Sequence, residues 1–128
     1  MQTQKRAILL VRSVMGKNKD FAQQREVFSS IINRLGLTIY REIEAACRNY
    51  TDREGAIVLG TIHRHAVWRD YEYLLVPTIY IFGRTPIEIT EEIKFLDENG
   101  VKVISASEGE ISVENLPPIF RKQFRIIK

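Results

Sequence analysis

The chain has 128 residues, 45% of them apolar and 27% charged, with a net charge of +3 at neutral pH. That length fits one domain able to bury a core, and the composition excludes disordered and collagen-like classes. No run approaches the roughly 20 apolar residues of a membrane-spanning helix, and the small positive charge permits an acidic partner such as nucleic acid without requiring one.

The start, Met1 to Arg6, leads into an apolar run with no small-residue cleavage site, which argues against a signal peptide. The single cysteine, Cys47, excludes an internal disulfide and fits a reducing cytoplasm. A cytoplasmic location is the expectation.

Ala7-Ile8-Leu9-Leu10-Val11-Arg12-Ser13-Val14 is a continuous aliphatic run that breaks into the polar segment 15–20. Such a run reads as a strand buried on both faces. Ligands of open α/β sheets gather beyond the carboxyl ends of such strands, where Arg12 and Ser13 stand. Lys19 to Leu35 has helical spacing, with Phe21, Val27, Phe28, Ile31, Ile32 and Leu35 on one side. Asp20 is the expected N-cap and Gly36 the residue that ends the helix. Leu37 to Tyr40 reads as a short second strand, and residues 41–50 fit either strand or helix.

Thr51-Asp52-Arg53-Glu54 has capping-box spacing and opens a helix running to about His65, with Ile57, Val58 and Ile62 on its inner face. Tyr73 to Phe82, dense in branched and aromatic residues, reads as the third strand. Pro77 inside it implies a bulge, an edge position or the true strand start. Thr85-Pro86-Ile87-Glu88 is a strong helix start. Ile89, Ile93 and Leu96 form that helix's buried face, and Asn99-Gly100 stops it. Val101 to Ser105 is a fourth strand. From Ser107 the pattern loosens, Pro117-Pro118 breaks structure, and the tail carries Arg121, Lys122, Arg125 and Lys128. Strands alternating with helices predict an α/β fold, a single mostly parallel sheet with helices on both faces. Residues 1–112 form the domain and 113–128 a basic tail.

Several tempting motifs dissolve on inspection. Gly16-Lys17 lacks the earlier glycine and following hydroxyl of a phosphate loop. His63 and His65, two apart on a helix, point about 200° apart and read as surface histidines. No metal or cofactor is expected. Cys47 reads as a small buried apolar residue, and the Asn49-Tyr50-Thr51 sequon has no meaning in a cytoplasmic protein. More informative are three arginines following successive strands: Arg12, Arg53 and Arg84. Parallel strands place such positions on one sheet edge, where three guanidinium groups would suit phosphate oxygens. Scattered surface arginines are the alternative.

Val11-Arg12-Ser13-Val14, Gln23-Gln24-Arg25, Ile39-Tyr40-Arg41-Glu42, Asp52-Arg53-Glu54-Gly55, Phe82-Gly83-Arg84-Thr85-Pro86-Ile87 and Leu96 to Ser105 with Glu108-Gly109 follow one another in order. Over about residues 7 to 112 this series resembles the catalytic domain of serine recombinases, the resolvase/invertase family. The resemblance implies a serine hydroxyl that attacks a DNA phosphodiester, forming a transient phosphoserine link, with an arginine cluster stabilising the charge. Arg12, Arg53 and Arg84 match three of those arginines, and Ser13 is the one candidate nucleophile. The chain departs from the pattern at four places. Val14 holds the expected nucleophile position, Ala45 that of an acidic-loop serine, Gly83 that of an aspartate and Ile87 that of a last arginine.

A one-residue shift on a strand turns a side chain to the other face, so catalysis is expected to be impaired or lost. The resemblance further implies DNA as a partner and assembly with itself or with a recombinase. The basic tail, with Arg121, Lys122 and Arg125, reads either as a set of phosphate contacts or as a solvated terminus. A non-catalytic domain that pairs with an active recombinase, and a small nucleotide- or phosphate-binding domain, are the alternatives.

Overall fold

The computed structural model describes residues 5–12, 18–45, 53–112 and 114, with Arg12 and residues 18–22 described through the backbone. In chain order the elements are β1 (Arg6–Arg12), α1 (Asn18–Leu35), β2 (Thr38–Ala45), α2 (Arg53–Val67), β3 (Tyr73–Val76), a 3-10 turn (Ile79–Phe82), α3 (Pro86–Glu98), β4 (Lys102–Ser105) and β5 (Gly109–Ile111). They build one five-stranded sheet in the order β2-β1-β3-β4-β5. The first four strands run parallel, and β5 returns antiparallel to β4.

The aliphatic run of β1 explains its central place. Ile8 and Leu10 enter one core while Ala7, Leu9 and Val11 enter another on the opposite face, as the two-residue period of a strand requires. The larger core receives Val58 and Ile62 from α2, and Ile89, Ile93 and Leu96 from α3. The smaller receives Phe28 from α1, against Leu75 and Ile104. Helices thus cover both faces of the sheet, as the alternation of elements predicts. Tyr71 lies beneath the larger core, its hydroxyl donating to the Ile62 carbonyl at 2.9 Å. Burial, with the charge of Glu92 adding to it, pushes that hydroxyl's pKa far up.

All three helices end in the same way. In each, the second residue past the helix cap donates its N–H to the carbonyl five residues back: Leu37 to Ile32, Asp70 to His65 and Val101 to Leu96. The residue before it takes the left-handed conformation: Gly36 at φ +65°, Arg69 at +60° and Gly100 at +80°. Gly36 is therefore the terminating glycine that the sequence marks.

Other expectations are corrected. Helix α1 begins at Asn18, so Asp20 lies inside it and is no cap. Of its expected inner face, Phe28 is buried and Ile31 and Ile32 half-buried, but Val27 and Leu35 face solvent. Ile57 of α2 is exposed, because Gly55, Val58, Ile62, His65 and Ala66 define the inward stripe and Ile57 sits about 100° away from Val58. The ambiguous residues 41–45 extend β2.

The third strand stops at Val76 rather than Phe82. Pro77 has no N–H to give a ladder, and β4 offers only four partners, so the chain turns into the 3-10 segment with Thr78 as its cap. Pro77 marks the end of a central strand. The thinly patterned stretch after Ser107 holds a short fifth strand. The capping box at Thr51, Gly16-Lys17, Cys47, Asn49 and the Pro117-Pro118 break lie outside the described residues.

Candidate functional site

Four parallel strands end at one edge: β1 at Arg12, β2 at Ala45, β3 at Val76 and β4 at Ser105. Arg12 and Ala45 are register partners, as are Val76 and Ser105. Helices α2 and α3 each follow a strand that ends here and start at the same edge, α2 with Arg53 itself and α3 just after Arg84. Topology therefore brings the three sequence-marked arginines to the carboxyl end of the sheet. Ser13 and Val14, and the tail residues Arg121, Lys122 and Arg125, lie outside the described residues.

Arg53 and Arg84 are exposed, and among the described residues neither forms an ion pair with a carboxylate. Both stand at helix N-termini, where the unpaired N–H groups carry partial positive charge and disfavour a cation. Glu54 and Glu88 offset that repulsion in the first turns. The result is an edge whose helix dipoles and guanidinium groups add in the same direction, toward an anion.

Around Arg84 the backbone is held tightly. Thr85 accepts the Glu88 N–H at 3.2 Å, while Glu88 Oε1 accepts the N–H of Arg84 at 2.7 Å and of Thr85 at 3.2 Å. The capping box expected from Thr85-Pro86-Ile87-Glu88 is present. It also accounts for Gly83, where the family pattern has an aspartate. A Cβ there would stand 2.5 Å from the Glu88 Cβ, so only glycine fits beside this cap.

One group at this edge has no signal in the sequence. The Ser105 hydroxyl, buried, donates to Glu108 Oε1 at 2.5 Å and accepts the N–H groups of Ser107 and Glu108 at 3.1 and 3.0 Å. Glu108 also accepts from the Thr78 hydroxyl at 3.1 Å and from the Ile79 N–H at 3.0 Å. A serine beside a carboxylate suggests a nucleophile and its base. Here every hydrogen-bonding site of the hydroxyl is occupied and it is closed to solvent, so the pair is structural. It ties the β4–β5 turn to the start of the 3-10 segment that leads to Arg84. The turn after β4 brings Ser105 and Glu108 together, but only the strand register brings them to Thr78 and Ile79, and a sequence does not state the register.

The two histidines diverge as their spacing predicts, but neither is a bare surface residue. His63 Nε2 lies 2.5 Å from Glu92 on α3 and its ring packs on Phe95 at 4.3 Å. His65 is buried, with Nδ1 2.7 Å from Asp70. The correction has a physical reason: partners distant in sequence, on β2 and α3, close over both rings. Among the described residues, no group of three or more His, Cys, Asp or Glu is arranged to hold a metal ion. No helix of the described residues is long and apolar enough to cross a membrane.

No family model matches the sequence, and no curated protein matches it. Solved structures do. A resolvase-family site-specific recombinase from Streptococcus pneumoniae superposes with a TM-score of 0.73 at 15% identity, over 97% of this chain and 86% of that one. The N-terminal catalytic domain of TP901-1 integrase gives 0.73 at 12% identity, over 95% of each chain. The C-terminal catalytic domain of ISC1926 TnpA, an IS607-like serine recombinase, gives 0.63 at 16%, over 95% of this chain and 78% of that one. With a mostly parallel sheet covered by three helices and these three neighbours, the chain has the resolvase-type fold of serine-recombinase catalytic domains.

Proposed function

We propose that this chain is a serine-recombinase-like domain tied to site-specific DNA recombination, which holds DNA phosphate at the carboxyl end of its sheet and whose strand-transfer chemistry is impaired or lost. The observation that carries the reading is the pair Arg53 and Arg84. Each is exposed, each is without a carboxylate partner among the described residues, and each stands where a helix dipole opposes a cation. A bound phosphate would turn that repulsion into attraction, with guanidinium forks and helix N–H groups on the same oxygens. Arg12 completes the clamp in this reading.

Ser13 is the only candidate nucleophile. Its hydroxyl oxygen would form a bond to phosphorus as the bond to one deoxyribose oxygen breaks, and the proton would pass to the departing strand. Val14 in the expected place is why that step is impaired. Arg121, Lys122 and Arg125 of the tail add sequence-independent phosphate contacts, and the domain assembles with a second copy or with an active recombinase.

The test is a gapped duplex offered to the wild type, Ser13→Ala and Arg84→Ala, with binding and covalent adduct measured together. Salt-dependent binding without an adduct, weakened several-fold in Arg84→Ala, is the expected result. An adduct abolished by Ser13→Ala would instead establish a working enzyme with a shifted nucleophile. Binding unchanged by Arg84→Ala would refute the phosphate clamp.

A further inference from the structure

At the amino end of the sheet, opposite the arginine edge, α2 is followed at once by Trp68, the only tryptophan in the chain, a residue 61% exposed. It is the last of three rings in edge-on contact. Tyr40 meets His65 at 5.4 Å between centroids and His65 meets Trp68 at 5.6 Å, with interplanar angles of 67° and 88°. The imidazole between them is buried, whereas Tyr40 is 37% exposed. Two aromatic surfaces thus reach solvent from one rigid frame. Asp70 fixes that frame: its carboxylate lies 2.7 Å from His65 Nδ1 and accepts the Tyr40 hydroxyl at 3.3 Å.

The charges around the rings are unequal in their engagement. The nearby carboxylates are occupied, Asp70 by His65 and Tyr40, Glu72 by Arg6. Arg64 and Arg69 are not. Arg64 lies 6.0 Å over the Trp68 ring, and Arg69 extends its guanidinium to where a Gly100 side chain would be. Among the described residues neither makes an ion pair. Arg69 moreover holds the left-handed conformation that a glycine takes at the ends of α1 and α3. A strained residue kept for its side chain is a mark of function.

We propose that this face binds single-stranded nucleic acid, with bases stacked on Trp68 and Tyr40 and phosphates taken by Arg64 and Arg69. Exposed rings beside unpaired cations, with the local acids neutralised, fit a polyanion that carries flat apolar faces. An acidic peptide matches the charge but gives the rings no stacking partner of equal area. The face lies at the other end of the strands from Arg12, Arg53 and Arg84 and does not depend on them.

Trp68 reports on its own site. Titration of the full chain with a short oligothymidylate at low salt is expected to quench its fluorescence saturably and to weaken as salt rises. With a labelled oligonucleotide, Trp68→Ala is expected to bind about tenfold more weakly or worse, Trp68→Phe to recover part of the loss, and Arg64→Ala to lose several-fold and to lower the salt slope by about one. The exposed position of Trp68 lets these variants fold, which circular dichroism checks. Absence of quenching, or unchanged affinity in Trp68→Ala, would overturn the proposal. Equal binding of inorganic polyphosphate and oligonucleotide would also overturn it by reducing the site to charge alone, and tighter binding of an acidic peptide would reassign the face to a protein.

Discussion

At the amino end of the sheet, Glu72 accepts the Arg6 N–H at 2.8 Å and the Arg6 guanidinium at 2.7 Å, joining β1 to the start of β3. At the carboxyl end, Glu108 does the corresponding work with the Ser105 and Thr78 hydroxyls and the Ile79 N–H, joining β4 to the segment after β3. The first carboxylate engages a cation, the second only neutral donors. Glu88 repeats the second pattern on the N–H groups of Arg84 and Thr85. Neutral donors satisfy a carboxylate without occupying a guanidinium, so the carboxyl end is braced while Arg53 and Arg84 stay available. This difference supports reading that end as an anion site.

The largest effect should come from breaking the neutral brace. Glu108→Ala leaves the buried Ser105 hydroxyl and the Ile79 N–H without their acceptor, and such losses cost about 1–3 kcal/mol. Urea unfolding should show that loss, whereas Glu108→Gln, which keeps an accepting oxygen, should lose less. Equal stability of Glu108→Ala and wild type would mean that the carboxyl end does not need its brace. A smaller effect of opposite sign tests the amino end. Arg69→Gly removes an arginine from the left-handed conformation and should raise stability by about 0.5–1 kcal/mol. A fall in stability would show that the guanidinium over Gly100 contributes more than the strain costs.

The sequence marks the parts of this comparison that are local. The β1 run is legible because both faces are aliphatic. The start of α3 is legible because Thr85, Pro86 and Glu88 carry the cap within four residues. The gathering of Arg12, Arg53 and Arg84 at one edge follows from parallel strands alone. What stays hidden depends on register and distant partners. Ile79 to Phe82 has strand composition, yet Pro77 and the short β4 end the ladder first. Arg69 gives no sign of ending a helix, because the signal there is a glycine. His65 carries no mark of burial, since its covers, Tyr40 and Asp70, come from a strand and a turn. Ser105 and Glu108 look like turn residues until the strands align them with Thr78.

The Arg6–Glu72 pair offers the finest test, because it alone of the two braces contains a charge pair. Burial by itself pushes the Glu72 carboxyl up, but its hydrogen bonds from the Arg6 side chain and backbone, with the attraction of that guanidinium, outweigh burial and hold it below the ordinary value of 4.5. The same hydrogen bond raises the Arg6 guanidinium. A carboxyl lowered on folding adds stability that is present above its unfolded value and lost as pH falls through the folded one. The window therefore lies below about pH 4.5. The two side chains are 39% and 35% exposed, so screening keeps the contribution under about 1 kcal/mol. Glu72→Gln should accordingly be less stable than wild type at neutral pH, and the two should converge as pH falls below the ordinary carboxylate value. Added salt should narrow the neutral-pH gap. A gap that persisted unchanged into acid would assign the brace to its hydrogen-bond geometry rather than its charge, and the two ends of the sheet would then differ less than their partners suggest.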